Sequence, residues 1–365
     1  MENRLSELKT YLKQNDWQGG VITSRNNIFY LSGFDYEPHE RFVGIFIFPE
    51  KDPLFVLPNM EVSMLLENNW NAPYLGYEDS ENIWEKLEGY LGEFGEIENF
   101  AVENSQITFS TIKKLQALLP NGEFQNIDEK LSKMRMVKSE KEIENLRVAA
   151  EFADFAIGVG INALKEGISE LEVLGEIEYQ LKKKGIREMS FSAMVLFGEN
   201  ASNPHGVTGE NTLQKGDSVI FDLGVKYNGY SSDITRTVFF KETNEQMENI
   251  YNTVLQANLA AIEKCKVGNK IGEIDKVARK VISGEGYQKY FPHRIGHGLG
   301  IDVHEEPSLH ANNHETLIKG MVLTVEPGIY ISTLGGVRIE DDIVITENGV
   351  EILTKFSKEL QIVKG

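Results

Sequence analysis

A short pattern occurs twice in the second half of the chain, and this repeat limits the possible folds more than any other feature. Leu213-Gln-Lys-Gly216 precedes an apolar run that ends at Asp222. Leu317-Ile-Lys-Gly320 precedes a similar run that ends at Glu326. Each copy also follows two helical segments that a Lys-x-Gly turn separates. Self-similarity of this kind is typical of a duplicated structural unit. The sequence therefore predicts a half-domain of two helices and several strands that occurs twice.

The first copy continues into a strong hairpin pattern. Asn228-Gly229 lies between two extended runs, and this dipeptide favours a two-residue turn. Such a turn pairs Asp222 with Thr235 and Asp233 with Gly224, so the two aspartates become diagonal neighbours on one face. A carboxylate after an apolar run is costly to bury alone. A bound cation removes that cost, and the alternative is a solvated pair at a strand end.

The second copy supplies two more carboxylates. Glu326 ends its apolar run, and Glu340 lies in the later extended run. By the duplication we expect these two side chains to share one face of a second hairpin, opposite the first. Such a cluster cannot stay ionised without cations, and two divalent ions with a bridging hydroxide nearly balance its charge.

Histidine placement narrows the choice of metal. The chain has seven histidines, and the segment His293–His304 contains three of them among several glycines. Oxygen-rich ligands with one imidazole suit Mn²⁺, Co²⁺, Fe²⁺ or Zn²⁺ better than Ca²⁺ or Mg²⁺. Gly296-His-Gly-Leu-Gly300 is not a dinucleotide fingerprint, because no strand–glycine–helix pattern surrounds it.

These segments together carry a resemblance to a known family. They are Asp222-Leu-Gly, Ser232-Asp-Ile-Thr-Arg-Thr, Gly296-His-Gly-Leu-Gly, Val303-His-Glu, Val325-Glu-Pro-Gly and Arg338-Ile-Glu-Asp. The chain resembles the pita-bread metallopeptidases, a family that contains prolidase, aminopeptidase P, methionine aminopeptidase and creatinase. The resemblance extends over essentially the whole chain and is greatest to the bacterial prolidases.

The resemblance implies an α/β plus α+β organisation in two domains. Residues 1–131 would form an N-terminal creatinase-like α/β domain, in keeping with their alternating helical and extended patterns. Residues 132–365 would form a C-terminal pita-bread catalytic domain with pseudo-twofold internal duplication. Ser139 with Glu142 and Ser169 with Glu172 have capping-box spacing, which predicts two helix starts in this second domain.

The resemblance also implies the metal ligands and the reaction. Two divalent ions per chain are expected, with Mn²⁺ favoured and Co²⁺ or Zn²⁺ as alternatives. A metal-bridging hydroxide would attack the carbonyl of the bond that precedes proline in Xaa-Pro dipeptides. Glu326 would serve as general base, and Asp233 and Glu340 would bridge the ions. The expected ligands are Asp222, Asp233, His297, Glu326 and Glu340.

Further residues are expected around the ions. By resemblance, His205 contacts the substrate and His304 binds near the scissile carbonyl. The alternatives are a loop histidine for His205 and an indirect helper for His304. Arg338 is expected to orient Glu340 as an ion pair.

A dipeptidase must recognise the free carboxylate of its substrate. Arg294, between His293 and His297, is the first candidate, because a guanidinium can bond both carboxylate oxygens; a surface salt bridge is its alternative role. His293 is also expected to bind substrate. The polar loop Asp35–Arg41, with His39 and Arg41, is the second candidate. The family resemblance implies a homodimer in which this loop reaches the other chain's cleft, and a solvated loop is the alternative.

Other functions remain open at this point. Aminopeptidase P performs the same chemistry on longer peptides, and a metal-free or non-catalytic relative keeps the fold alone. Methionine aminopeptidase is disfavoured, because those enzymes usually lack the N-terminal domain.

Composition excludes some classes of partner and setting. A net charge of -19 disfavours nucleic acid and anionic membranes as partners. The single cysteine, Cys265, cannot form an intrachain disulfide and is expected to be buried and inert. The N-terminus has no signal-peptide pattern, and no run is apolar enough to cross a bilayer. We therefore expect a cytoplasmic enzyme.

Overall fold

A computed structural model describes residues 2–37 and 39–365, with Glu2 described by its backbone alone. The chain divides into two compact units, Met1–Arg135 and Met136–Gly365. The boundary predicted after residue 131 falls inside a helix that spans Asp128–Met136.

The first unit is a mixed α/β unit. Its sheet has the order β4-β3-β2-β1-β5-β6, and β1 pairs antiparallel with β2 and parallel with β5. Ser24 and Thr108 cap two of its helices. The helices are α1 Glu2–Gln14, α2 Arg25–Ser32, α3 Val62–Glu67, α4 Ile83–Leu91, α5 Phe109–Leu118 and α6 Asp128–Met136; the strands are β1 Gly19–Ile22, β2 Gly44–Ile47, β3 Leu54–Pro58, β4 Tyr74–Tyr77, β5 Asn99–Val102 and β6 Glu123–Asn126.

The second unit packs two pairs of helices against sheets that are antiparallel except for the parallel pair β12–β20. Its sheets have the orders β20-β12-β9-β8, β11-β10-β7, β14-β13-β15-β18-β19 and β16-β17. The helices are α7 Glu140–Ala163, α8 Glu170–Lys183, α9 Glu245–Lys264 and α10 Ile271–Gly284; the strands are β7 Glu188–Met189, β8 Met194–Phe197, β9 Ser218–Leu223, β10 Val225–Tyr227, β11 Tyr230–Ser231, β12 Ile234–Phe240, β13 Gly296–Gly298, β14 Glu305–Leu309, β15 Val322–Val325, β16 Gly328–Ile331, β17 Gly335–Arg338, β18 Asp341–Thr346, β19 Gly349–Ile352 and β20 Ile362–Val363.

Both predicted capping boxes are confirmed. The Ser139 hydroxyl bonds Glu142 at 2.7 Å, and the Glu142 carboxylate accepts the backbone N–H of Ser139 at 2.9 Å. Ser169 and Glu172 repeat the arrangement at the start of α8. Each box satisfies backbone groups that a helix start otherwise leaves free.

The internal duplication is confirmed in the backbone. The N–H of Gly167 bonds the carbonyl of Leu213 at 3.0 Å, and the N–H of Gly268 bonds that of Leu317 at 2.9 Å. One apolar core lies between α7, α8 and strands β8, β9 and β12. Another lies between α9, α10 and strands β15, β16 and β18. Each half therefore buries its own helix pair against its own strands.

Cys265 is buried and its Sγ lies 3.3 Å from the carbonyl of Ala261, as expected of an inert thiol. Burial raises the pKa of this thiol to about 12, which keeps it protonated. Among the helices of the described residues, none is long and apolar enough to span a membrane.

Candidate metal centre

The hairpin of the first half has the predicted register. Thr235 pairs with Asp222 in the ladder between β9 and β12. Asn228 and Gly229 form the turn with φ of 48° and 81°, values that suit an Asn-Gly turn. Gly224 is required beside Asp222, because a Cβ there would lie 1.8 Å from the carbonyl oxygen of Ser232. The backbone of Asp233 is held by its N–H, which bonds the Asp342 carboxylate at 2.9 Å.

In the second half, the two carboxylates Glu326 and Glu340 lie opposite each other on neighbouring chain segments. The ladders β15–β18 and β16–β17 keep one common register, so Glu326 and Glu340 lie opposite each other between them. The N–H of Glu340 bonds the carbonyl of Thr235 at 3.1 Å, which joins the two hairpins. The Thr235 hydroxyl also donates to the Glu340 carboxylate at 2.6 Å.

His297 faces these carboxylates with one ring nitrogen. Its Nδ1 lies 3.0 Å from the carbonyl of Gly298, so Nδ1 carries the proton and donates it there. Nε2 lies 3.5 Å from Glu326 and 3.9 Å from Asp233. Ligand atoms of Asp233, His297 and Glu340 all lie within 4.8 Å of one another. An unprotonated imidazole nitrogen among carboxylates is a suitable metal ligand.

The pKa values of the cluster are shifted by burial and by the mutual repulsion of its carboxylates. Burial raises the pKa of Asp233, and repulsion from Glu340 raises it further. Burial and the neighbouring Glu326 raise the pKa of Glu340 in the same way. Burial is also the main cause that raises the pKa of Glu326 to about 7 and lowers that of His297 to about 3.

One atom of the cluster is left without a partner. Oδ1 of Asp233 is fully buried and meets no hydrogen-bond donor within the described part of the chain. A buried carboxylate oxygen without a donor is costly. The residues therefore fit divalent cations, which would pair with this oxygen and offset the mutual repulsion of the carboxylates.

Arg338 was expected to orient Glu340, and the structure corrects this expectation. Its Nη2 forms an ion pair with Asp222, and both side chains are almost fully buried. Its Nε donates to the Thr235 hydroxyl at 3.1 Å, and this hydroxyl donates to Glu340. The charge of Arg338 also acts on Glu340, where it lowers the pKa of that carboxyl. The cause is the contact between the two hairpins, which places β17 beside the strand that carries Asp222.

The other expected residues of the second unit line a cavity of about 520 Å³ beside the cluster. Arg294 donates to the Ser308 hydroxyl at 3.0 Å. The rings of His304 and His297 lie 4.2 Å apart in an edge-to-face arrangement. Burial lowers the pKa of His304, and the charge of Arg294 lowers it further. The cavity is lined by Phe191, Met194, Pro204, His205, Asp222, Asp233, His293, Arg294, His297, Val303, His304, Glu326, Arg338 and Glu340.

His293 lines the same cavity, but both its ring nitrogens already have protein partners. Nε2 lies 3.0 Å from the Tyr330 hydroxyl, and Nδ1 lies 2.8 Å from the carbonyl of Arg294. Tyr330 also accepts a hydrogen bond from Arg338 at 2.6 Å. The role of His293 in binding substrate stays a prediction.

The loop of the first unit is engaged within that unit. Arg41 forms two hydrogen bonds with the Asp79 carboxylate, at 2.8 and 2.9 Å. His39 is exposed and has a φ of 51°. Pro38, in the middle of the predicted loop, lies outside the described residues.

Sequence analysis missed three residues that support the cluster: Thr235, Tyr330 and Asp342. Asp342 is buried and holds the backbone of Asp233. The run of three acidic residues from Glu340 to Asp342 within an apolar strand pattern could have indicated it. Tyr330 carried no such signal, because its role depends on side-chain contacts with Arg338 and His293 that no sequence pattern indicates.

A duplicated α/β unit with buried carboxylates and a neutral imidazole at its centre has the architecture of a metallopeptidase. The metallopeptidase family M24 matches residues 144–347, and the creatinase/prolidase N-terminal domain matches residues 4–137. The chain belongs to metallopeptidase family M24. This membership confirms the predicted fold class and the predicted class of enzyme.

Individual proteins of known sequence or structure agree with this membership. YkvY of Bacillus subtilis, provisionally named a dipeptidase, is 49% identical and covers 99% of both chains. The Xaa-Pro dipeptidase of Bacillus anthracis has a TM-score of 0.93 at 32% identity and covers 99% of both chains. The X-Pro aminopeptidase of Thermotoga maritima has a TM-score of 0.88 at 29% identity and covers 95% of this chain and 98% of its own.

Proposed function

We propose that this enzyme is an Xaa-Pro dipeptidase that uses two divalent metal ions. The observation that carries the proposal is the convergence of buried carboxylates from both halves on His297, with a buried Asp233 oxygen that lacks a donor among the described residues. The names of the B. subtilis and B. anthracis relatives support the same substrate class.

The proposed ligands are Asp222, Asp233, His297, Glu326 and Glu340, with Asp233 and Glu340 shared between the two ions. Bound divalent ions would supply a Lewis acid for the scissile carbonyl and lower the pKa of a water. Mn²⁺ is the proposed native ion, and Co²⁺ or Zn²⁺ would suit the same oxygen and imidazole ligands.

The side chains around the ions have separate proposed roles. Glu326 accepts a proton as general base, a role that a carboxylate beside the reacting water can fill. Arg338 holds Asp222 in place through their buried ion pair. His205 and His304 line the cavity, where each can bond a substrate carbonyl or amide.

Arg294 is the proposed receptor for the substrate carboxylate. Its guanidinium lies at the cavity and bonds a serine hydroxyl at 3.0 Å, and it pairs with no acidic side chain of the described residues. A carboxylate that binds there would offset its charge and accept two hydrogen bonds. This recognition would favour dipeptides over longer peptides.

We also propose a homodimer, in which the segment Asp35–Arg41 contributes to the partner's cleft. To contribute to that cleft, Arg41 would have to replace its hydrogen bonds to Asp79 by contacts with the partner. Sedimentation measurements that show an active monomer at assay concentrations would contradict this assembly.

One assay tests the function. Ala-Pro, Gly-Pro and Ala-Pro-Ala are each incubated with enzyme that has been reconstituted with Mn²⁺, Co²⁺ or Zn²⁺. We expect hydrolysis of both dipeptides, fastest with Mn²⁺, and much slower hydrolysis of the tripeptide. Equal hydrolysis of Ala-Pro and Ala-Pro-Ala would make the enzyme an aminopeptidase P. The absence of hydrolysis with bound metal would reject the proposal.

A further inference from the structure

A buried ion pair lies outside the cavity, and one of its members is Glu305, the residue that follows His304. Nζ of Lys138 is 3.0 Å from Oε2 of Glu305, and their side chains are only 2% and 6% exposed. An ammonium and a carboxylate lose their hydration at such depth, and this loss is rarely offset fully by their attraction. A gain in stability therefore does not explain the pair well, and a functional role is the alternative explanation.

Glu305 organises the turn that precedes it. Its second oxygen, Oε1, accepts the backbone N–H of Ile301 at 2.9 Å and that of Asp302 at 3.1 Å. A Cβ at Gly300 would lie 2.7 Å from both carboxylate oxygens. Glycine at this position therefore leaves room for the carboxylate, around which the backbone of the turn folds.

The turn leads directly to the metal centre. It contains Val303 and His304, which both line the cavity. Its other end is tied to the first hairpin, because Ser231 donates its N–H to the carbonyl of Gly300 at 2.7 Å and its hydroxyl to that of Ile301 at 3.2 Å. The place of the His304 ring thus depends on how this turn is held.

Lys138 is well placed to hold it, because its own backbone is fixed. The N–H of Lys138 bonds the carbonyl of Gly320 at 2.9 Å, and Val137 forms a bridge with Met321. Lys138 also lies just before the capped start of α7. Its ammonium is therefore an anchored donor, and the turn is the part that would move.

We propose that Lys138 and Glu305 are a positioning pair that sets the place of His304 at the cavity. The catalytic part of this proposal rests on the dipeptidase function proposed above. The contacts of Glu305 described above are with Lys138 and with the turn, and the pair acts through this turn, which carries His304.

The first test is kinetic. Lys138→Met keeps the length of the side chain and removes its charge, and we expect kcat/KM for Ala-Pro to fall about 10- to 100-fold, as for other groups that orient a ligand or catalytic side chain. Lys138→Met with Glu305→Gln should recover part of the loss, because the glutamine oxygen still accepts the N–H groups of the turn. Arg147→Met is the matched control, since it removes a more exposed ion pair with Glu351, and it should change kcat/KM less than about 3-fold.

The second test asks whether the pair acts through His304. In a His304→Ala background, Lys138→Met should cause almost no further loss of kcat/KM, because the group that it positions is gone. A loss equal to that in the wild-type background would overturn the proposal, since it would show a merely structural effect. An unchanged kcat/KM for Lys138→Met alone would also overturn it.

The third test does not depend on catalysis. Hydrogen exchange in the metal-free protein is measured at the amides of Ile301 and Asp302. We expect Lys138→Met to raise both rates at least about 10-fold while amides in α8 stay unchanged. If Lys138→Met does not fold, Glu305→Asp keeps the charge, withdraws the carboxylate from the turn and should have the same effect. Unchanged exchange in a folded variant would overturn the proposal, whatever the substrate of the enzyme.

Discussion

Asp233 is the residue at which the two halves of the catalytic unit meet. Its backbone is held by Asp342 of the second half, and its carboxylate faces His297 and Glu340. Its pKa is raised by burial and by neighbouring carboxylates, so the residue is destabilising in its ionised form unless a cation is bound. Such a position costs stability and is explained by function.

Asp233→Asn is therefore expected to separate function from stability. The variant should lose metal affinity and lower turnover more than about 100-fold, because a proposed shared ligand is gone. The metal-free variant should be at least as stable as metal-free wild type at pH 8, since one repelling charge is removed. Metal content and urea unfolding are the measurements.

Asp217→Asn is the control for that variant, because Asp217 is also partly buried but bonds the N–H of Gln214 instead of facing the cluster. It should keep metal and turnover. An Asp233→Asn enzyme with full activity and wild-type metal content would remove Asp233 from the ligands.

Arg294→Ala tests substrate recognition at the same scale. The guanidinium would contact the substrate carboxylate in both ground and transition states, so its loss should raise KM for Ala-Pro about 10- to 100-fold with little change in kcat. The substitution should also reduce the difference in KM between Ala-Pro and its C-terminal amide. Arg294→Lys should be intermediate, because it keeps the charge and loses the fork. An unchanged KM would direct attention to Arg41.

The hairpin of the first half shows how an element positions ligands. Its alternation and its Asn-Gly turn were enough to predict that Asp222 pairs with Thr235, and the register is confirmed. Turn type and side-chain period act within a few residues, so the sequence contains them. The repeat of the pattern in the second half similarly predicted that Glu326 and Glu340 lie together.

Contacts between elements were not predictable in the same way. The partner of Arg338 is Asp222, which lies in the other half of the unit, and no local spacing indicates that ion pair. Strand β6, with the polar sequence Glu-Phe-Gln-Asn, forms because it pairs in parallel with β5. In both cases tertiary packing overrides local preference.

Substitution of two glycines in the first hairpin tests whether its strand geometry positions the metal ligands. Gly224→Ala would place a Cβ 1.8 Å from the carbonyl oxygen of Ser232, which must push apart the strands that carry Asp222 and Asp233. We expect a loss of metal affinity of more than about 10-fold. Gly229→Ala strains only the turn, at a cost of about 1–2 kcal/mol, and should keep the affinity. Equal affinities for both variants, measured by calorimetry, would contradict this account of the hairpin.

At the scale of the whole molecule, the duplication explains why the site is both buried and acidic. Each half contributes one hairpin with two carboxylates, and Asp222, Asp233 and Glu340 are buried where the two hairpins meet. The metal-free protein must therefore bear repulsion that the metal-bound protein does not. Each Mn²⁺ site that is occupied at about 100 times its Kd would add about 2.7 kcal/mol to the free energy of unfolding.

This stabilisation should depend on pH. Glu326 has a pKa of about 7 in the folded metal-free protein, above the ordinary value of about 4.3. A raised pKa gives stability that is complete below about pH 4.3 and is lost as the pH rises through about 7. Asp233 and Glu340 shift in the same direction. The difference in unfolding free energy with and without Mn²⁺ should thus widen between about pH 5 and pH 8, and a constant difference would contradict the cluster's electrostatics.

The most direct test is a titration of metal-free enzyme with Mn²⁺ in which bound metal and hydrolysis of Ala-Pro are measured on the same samples. The account predicts that activity rises with bound Mn²⁺ and reaches its plateau close to two ions per chain. Full activity in the metal-free enzyme, or no hydrolysis of Ala-Pro at saturation, would contradict it.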